Sequence, residues 1–220
     1  MQLLRCILAI DESLGMVIDT LEELGELENT VIIYSSDNGY FMGEHTFLDK
    51  RLAYENSMRV PMLIRYPKLI KKKTKVKEQC LNIDVAPTIL ELAGVEIPDY
   101  MQGESMLNLL QGKKEKNWRE AILFEYYLDT YWPYAGPSQI AVRTERYKLV
   151  DAFLKNDIDE LYDLKKDPGE MTNLINDPNY EDIEVGLRNQ AEILKEKYNY
   201  NPDRDWWLRQ VMKSKRQHPK

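Results

Sequence analysis

Residues Ser35 to His45 read SSDNGYFMGEH and follow directly on TVIIY, Thr30 to Tyr34. Five β-branched or aromatic residues that stop abruptly at Asp-Asn-Gly predict a buried strand that delivers polar groups at its C-terminal end. Asn-Gly is by itself a strong turn signal. An Asp beside an Asn also offers two oxygen ligands to a hard cation. Taken alone, the stretch supports either reading, and the rest of the chain has to choose between them.

The chain has 220 residues, 43% of them hydrophobic, which suffices for one domain or two small ones with a real core. A net charge of −7 argues against general nucleic-acid binding, which favours a basic face. Cys6 and Cys80 fit neither a metal-ligand spacing nor a disulfide framework and leave the redox compartment open. His45 and His218 are the only histidines, too few for a His-rich zinc centre, and neither is accompanied by a Gly-x-Ser-x-Gly elbow. No glycine-rich phosphate loop is present. No apolar run reaches eighteen residues, so no transmembrane helix is expected. The opening stretch, MQLLRCILAIDESLGMVIDTLEEL, is too acidic for a signal peptide. Its apolar residues Leu3, Leu4, Ile7, Leu8, Leu14, Val17, Ile18 and Leu21 repeat at helical spacing and predict an amphipathic helix.

Outward from the opening motif, GELENT is a short connection, VIIYSS a first strand, and residues 37–59 a long loop. VPMLIRYP (Val60 to Pro67) is a second apolar strand and KLIKKKTKVK a basic connection. NIDVAPTILELAG predicts a helix with Asp84 at its N-cap, Pro87 in its first turn and Gly94 as its stop. This alternation of helix and strand predicts an α/β fold with parallel strands. Two such strands do not make a stable doubly wound sheet, so either the strand count is wrong or the remaining strands lie on a part of the protein outside this chain. Beyond Pro98, AILFEYY, SQIAVRT, RYKLVDA and DELYDL are short strands of an antiparallel sheet, and DIEVGLRNQAEILKEKY is a late helix. The tail MKSKRQHPK is polar and basic.

Five motifs stand in a fixed order: SSDNG, then GEH (Gly43–His45), DKRLAYENSMRVP (Asp49–Pro61), IDVAPTILELAGVEIP (Ile83–Pro98), and RTERYKLV with ELYDLKKDPGEMTNL (Arg143–Leu174). In this order and spacing they closely resemble the C-terminal part of the type I sulfatase family, which has an alkaline-phosphatase-like α/β fold. The resemblance implies that residues 1–112 are the C-terminal part of a mixed sheet, followed over 113–220 by a small antiparallel sheet plus helix. It implies a sulfuric ester hydrolase acting on a sulfated carbohydrate or another sulfate ester. The family nucleophile is a formylglycine made within a C-x-P-S-R or S-x-P-S-R motif. Neither RCILAI around Cys6 nor QCLNID around Cys80 matches it, and no serine supplies the alternative. The family's N-terminal aspartate pair has no counterpart either. The resemblance therefore implies an N-terminal half as partner, and no turnover by this chain alone.

Residue by residue, Asp37 and Asn38 match the family's Ca²⁺ ligands, an incomplete site because calcium takes six to eight oxygens. Lys50 matches the catalytic lysine, a point charge against the sulfate and the departing oxygen. His45 falls where the family places substrate-binding residues, while Glu55, Arg59 and Pro61 match structural positions. A lone exposed lysine or loop histidine is more often a plain surface group, so the weight rests on the motif order. KLIKKKTKVK reads chiefly as a solvated connection. Tyr126, Tyr127, Tyr131, Trp132 and Tyr134 suit either sugar stacking or a core. Two other functions stay open: a non-catalytic remnant or binding module, and a phosphoesterase of the same superfamily. GEH and the surroundings of Lys50 favour the sulfatase.

Overall fold

The computed structural model of the chain describes residues 2–71, 73–127, 138–152 and 158–200. The first helix, α1 (Gln2–Glu23), forms where the 3.6-residue period predicts it. Much of its apolar stripe faces water, with Leu4, Ile7, Leu8 and Val17 exposed. No described helix is long and apolar enough to cross a membrane.

Strands β1 (Ile32–Ser35) and β4 (Met62–Arg65) pair antiparallel, Ile33 opposite Ile64, which corrects the parallel arrangement expected from sequence. A parallel pair needs a helical crossover of a dozen or more residues. The connection here holds instead the two-residue strands β2 (Phe41–Met42) and β3 (Leu48–Asp49), which pair as a hairpin, and the one-turn helix α2 (Glu55–Met58). Nor is β1 buried: all four of its residues are half-exposed. β4 rests Met62 and Ile64 on a cluster of Met106, Leu109, Leu110 and Trp118, to which α4 (Leu107–Leu110) contributes.

Helix α3 (Val85–Leu92) follows a 3-10 turn at Asn82–Asp84. It stops at Gly94 as predicted, since the left-handed φ of +69° there suits a residue without Cβ. The Gly94 N–H then donates to Glu91 O and the Val95 N–H to Leu90 O, closing the helix end. Asp84 does not cap the helix with its side chain, contrary to expectation. Its carboxylate is fully buried and accepts from the Leu81 and Glu104 N–H groups and from Arg119 twice, at 2.5 and 2.6 Å. A buried carboxylate needs a charged partner, and the Arg119 guanidinium outcompetes the helix end.

The remaining strands, β5 (Ala121–Tyr126), β6 (Gln139–Thr144), β7 (Tyr147–Ala152) and β8 (Glu160–Asp163), form an antiparallel meander in that order. Helix α5 (Glu181–Lys197) covers one face through Leu187, Ala191 and Leu194, which pack on Ala121, Val142, Leu149 and Leu161. The period of two sends the intervening residues to the opposite face. There Ala141 and Val150 pack on Ala53, and Tyr162 on Phe41, Leu52 and Tyr54, all from the 37–59 segment. The sheet is thus a middle layer with α5 behind it and the Asp-Asn-Gly loop in front. Tyr131, Trp132, Tyr134, Lys72, His218 and the basic tail lie outside the described residues.

Candidate active site

β1 ends at Ser35, and four bonds hold the strand end and the residues that follow. Ser35 Oγ donates to Pro61 O at 3.0 Å, and Asn82 Nδ2 donates to the carbonyls of Ser36 and Asp37 at 2.9 and 3.2 Å. The Gly39 N–H donates to Ser57 O at 2.8 Å. Neither Asn38 nor Gly39 adopts the positive φ that an Asn-Gly hairpin turn requires. Gly39 is there for close approach: a Cβ at this position would lie 2.0 Å from the Asn56 carbonyl oxygen. The turn reading therefore fails on backbone geometry, and the Asp-Asn pair is left presented at the strand end.

The β2–β3 hairpin brings the chain back so that Lys50 meets that pair. Lys50 Nζ donates to Asn38 Oδ1 at 3.2 Å and lies 3.5 Å from Asp37 Oδ2. The Asn38 N–H, donating to the Asp37 carboxylate, holds its pKa below the ordinary value, and the Lys50 charge adds to this. The Asp37 side chain is 78% exposed, so this ion pair is open to solvent and to a ligand. Lys50 stands between two non-glycine residues of positive φ, Asp49 at +89° and Arg51 at +110°. Each such residue costs on the order of 1–3 kcal/mol and persists only where its surroundings over-determine it. Here Arg51 pairs with Asp49 at 2.9 Å and its N–H donates to Ser57 Oγ at 3.0 Å.

His45, itself at a φ of +51°, does not join that contact. Its ring stacks on Tyr54 at 4.1 Å between centroids, beside Phe41. Tyr54 and Tyr162 both donate to Glu160, at 3.0 and 3.2 Å. Burial, helped by the Glu160 charge, pushes the Tyr54 phenol up to about 12 and raises that of Tyr162 too, so both act as neutral donors.

Behind Lys50 the loop is fastened to the sheet. The Ala53 N–H donates to Gln139 Oε1 at 3.0 Å and the Glu55 N–H to Glu170 Oε2 at 2.7 Å. The Glu55 carboxylate accepts two bonds from Arg143, each 3.0 Å, and lies 3.5 Å from Lys148 Nζ. Lys148, with no exposed side-chain surface, also pairs with the buried carboxylate of Glu170. Burial favours the neutral acid at Glu55, but the Arg143 bonds and the Lys148 charge outweigh it and lower its pKa. At Glu170 burial dominates and raises the pKa, with Lys148 offsetting only part. Glu55 and Pro61 thus sit in structural contacts, as their motif suggests, whereas Arg59 leaves its side chain exposed. Sequence reading missed Asn82, Gln139, Lys148 and Glu170. Alternation within SQIAVRT and RYKLVDA is a signal that could have set Gln139 beside Ala141 and Lys148 beside Val150, but no local signal says which loop they meet, and Asn82 and Glu170 lie outside these strands.

Among the described residues no three His, Cys, Asp or Glu side chains gather as a metal group. What the chain does offer a cation is one carboxylate and one amide oxygen that converge on a single positive charge, now that of Lys50. Hard oxygens so placed fit calcium in kind and would make up only two of the six to eight ligands it takes.

The family described as N-sulphoglucosamine sulphohydrolase, C-terminal, matches residues 43–197. An N-acetylglucosamine-6-O-sulfatase of Bacteroides thetaiotaomicron is 40% identical over 205 residues, covering 91% of this chain and 36% of that protein. The structure of BT4656 in complex with its substrate D-glucosamine-2-N,6-O-disulfate superposes with a TM-score of 0.84 at 38% identity, over 90% of this chain and 40% of that one. A phosphonate monoester hydrolase of Agrobacterium radiobacter superposes at 0.73 with 26% identity, over 86% of this chain and 39% of that one. The chain spans about a third of the length of two of the curated relatives it matches, 36% and 35%. The fold is the one that the motif order implied, an alkaline-phosphatase-like α/β arrangement with a small antiparallel sheet and C-terminal helix.

Proposed function

Because the chain belongs to the sulfatase family described as N-sulphoglucosamine sulphohydrolase, C-terminal, we propose that it forms the C-terminal wall of a sulfuric ester hydrolase site that takes a sulfated carbohydrate. The observation that carries this is the convergence of Lys50 Nζ with Asn38 Oδ1 and Asp37 Oδ2, at 3.2 and 3.5 Å. Lys50 meets the sulfate and, as the ester bond opens, the charge that develops on the departing sugar oxygen. A compact ammonium suits that oxygen better than a planar guanidinium. Asp37 and Asn38 would hold a calcium ion, which when bound supplies positive charge against the sulfate oxygens. His45, flat on Tyr54, presents an edge that can donate to the sugar. The sequence holds no match to the formylglycine motif, so no bond-making step is assigned to it. The hexosamine class of sugar is supported by the 40% identity to an N-acetylglucosamine-6-O-sulfatase.

The test is a titration of the chain with N-acetylglucosamine 6-sulfate in calcium chloride, read by calorimetry and by amide NMR shifts. Binding on the order of millimolar is expected for the sulfated sugar and none for N-acetylglucosamine. Lys50→Ala should weaken it at least about tenfold. The likeness to a phosphonate hydrolase makes glucosamine 6-phosphate the second competitor, expected to bind more weakly. Equal binding of the sulfated and unsulfated sugars, or indifference to Lys50→Ala, overturns the reading.

A further inference from the structure

We propose that Gln139, Lys148 and Glu170 are positioning residues, through which the antiparallel sheet sets where Lys50 stands relative to Asp37 and Asn38. Three kinds of observation carry this.

The first is register. Gln139, Ala141 and Arg143 on β6, Lys148 and Val150 on β7, and Glu160 and Tyr162 on β8 alternate onto one face, with Arg143 opposite Lys148 and Lys148 opposite Tyr162. Every one of them touches the 53–58 segment or its aromatic neighbours, either through the bonds given above or by packing on Ala53, Met58 and Tyr54.

The second is burial. Gln139, Lys148 and Glu170 are all nearly inaccessible, yet all are polar. A well-packed apolar face would serve stability as well or better, since buried ion pairs seldom gain over apolar residues of like volume. What the polar groups add is direction. A backbone N–H that must find one acceptor allows one placement of the loop, whereas apolar contact tolerates sliding.

The third is what they hold. The bonds fall on Ala53 N–H, the Glu55 N–H and the Glu55 carboxylate, three to five residues beyond Lys50. Between them and Lys50 the backbone carries the positive φ of Arg51, and Asp49 lies just before. Short segments with such torsions do not hold themselves; they need an anchor on each side. The β2–β3 hairpin supplies one, and the sheet supplies the other. Asp37, in turn, is held by Asn82, on a different part of the chain. The sheet therefore acts on the Lys50 side directly, through Ala53 and Glu55, whereas the Asp37 side has a fastening of its own at Asn82 besides the Gly39–Ser57 bond that ties it to the same segment.

The functional meaning rests on the sulfatase reading above; the placement itself does not, and the experiment reads placement. The full chain is treated with a zero-length carbodiimide under native conditions, and the yield of the Asp37–Lys50 isopeptide bond is measured by peptide mass spectrometry. Hydrogen exchange of the β6, β7 and α5 amides reports in the same sample whether the sheet is intact. Gln139→Met removes the acceptor at similar size and should cut the cross-link about fivefold or more with sheet protection unchanged. Gln139→Glu, which keeps an acceptor oxygen, should restore at least half of the wild-type yield. Glu55→Gln, which keeps shape and loses the charge seen by Arg143 and Lys148, should also lower it. A merely structural role predicts a yield that follows sheet protection in every variant. Unchanged cross-linking in Gln139→Met and Glu55→Gln overturns the proposal, as does loss of sheet protection in parallel with the cross-link. Sugar binding that fails in the wild type while these yields change as expected would sink the sulfatase reading and leave the positioning intact.

Discussion

Lys148→Met is the substitution that most directly probes what holds the loop to the sheet. Methionine keeps most of the apolar stem and takes away the ammonium. What remains is Glu170, 2% exposed, and Glu55 close by, with one cation fewer between them. Removing one partner of a buried pair costs about 3–5 kcal/mol, most of it the cost of the charge left behind. With a urea slope of about 3 kcal/mol/M, the unfolding midpoint falls by about 1 M or more. The cost depends on pH in a definite sense. Glu170 already has a raised pKa from burial, and loss of Lys148 raises it further. An acid whose folded pKa lies above its unfolded one carries no penalty below the unfolded pKa, about 4.3, and the full penalty above the folded one. The wild-type and variant midpoints should therefore lie well apart at pH 7 to 8 and draw together as pH falls toward 4. Urea titrations followed by far-UV circular dichroism at three pH values measure this, with Lys197→Met on a surface pair as control. Lys197, 52% exposed, lies 3.6 Å from Glu104, and its loss should cost under about 1 kcal/mol. A midpoint shift in Lys148→Met no larger than in the control, or one that does not change with pH, refutes the reasoning.

Gly39→Ala should cost about 3 kcal/mol, because its Cβ would meet the Asn56 carbonyl at 2.0 Å and backbone must move; thermal melting reads it. The chain alone should show no turnover of a chromogenic aryl sulfate with calcium present, and activity above that of Lys50→Ala would contradict this. The isolated chain should associate as its concentration rises, since Leu4 is 64% and Leu8 61% exposed on α1; Leu4→Glu with Leu8→Glu should return it to monomer in light scattering.

The parts legible in the sequence were those with a local cause. The period of α1, the stop at Gly94 and the short strands β6 and β7 each follow from residues a few positions apart. The candidate site residues came by a different route. Asp37, Asn38 and Lys50 were picked out by motif order, and the hairpin between them brings them into contact. His45 belonged to the same motif but turned its ring onto Tyr54, because an aromatic face was available there. The pairing of β1 with β4 was misread because two apolar runs of similar composition say nothing about direction. Direction was set by the connection, whose tight hairpin and positive-φ residues Asp49 and Arg51 have no composition signal. Asp84 was misread for a related reason: its partner Arg119 lies 35 positions away, beyond any local rule.

The fastening of the loop to the sheet also orders events in time. Ala53 and Gln139 are 86 residues apart, Tyr54 and Glu160 106, Glu55 and Glu170 115. Contacts so distant must wait for large loops to close, and they form late in folding. On the ribosome the wait has a definite end. The 37–59 segment leaves the exit tunnel long before its partners, and its last anchor, Glu170, is made only after the four strands of the meander. During that interval, at about 5–20 residues per second, the loop stands in solution for several seconds without the sheet on which it packs. The contact between Lys50 and Asp37 is therefore among the last to be set, and a chaperone that shields the early segment would act before any site exists to protect.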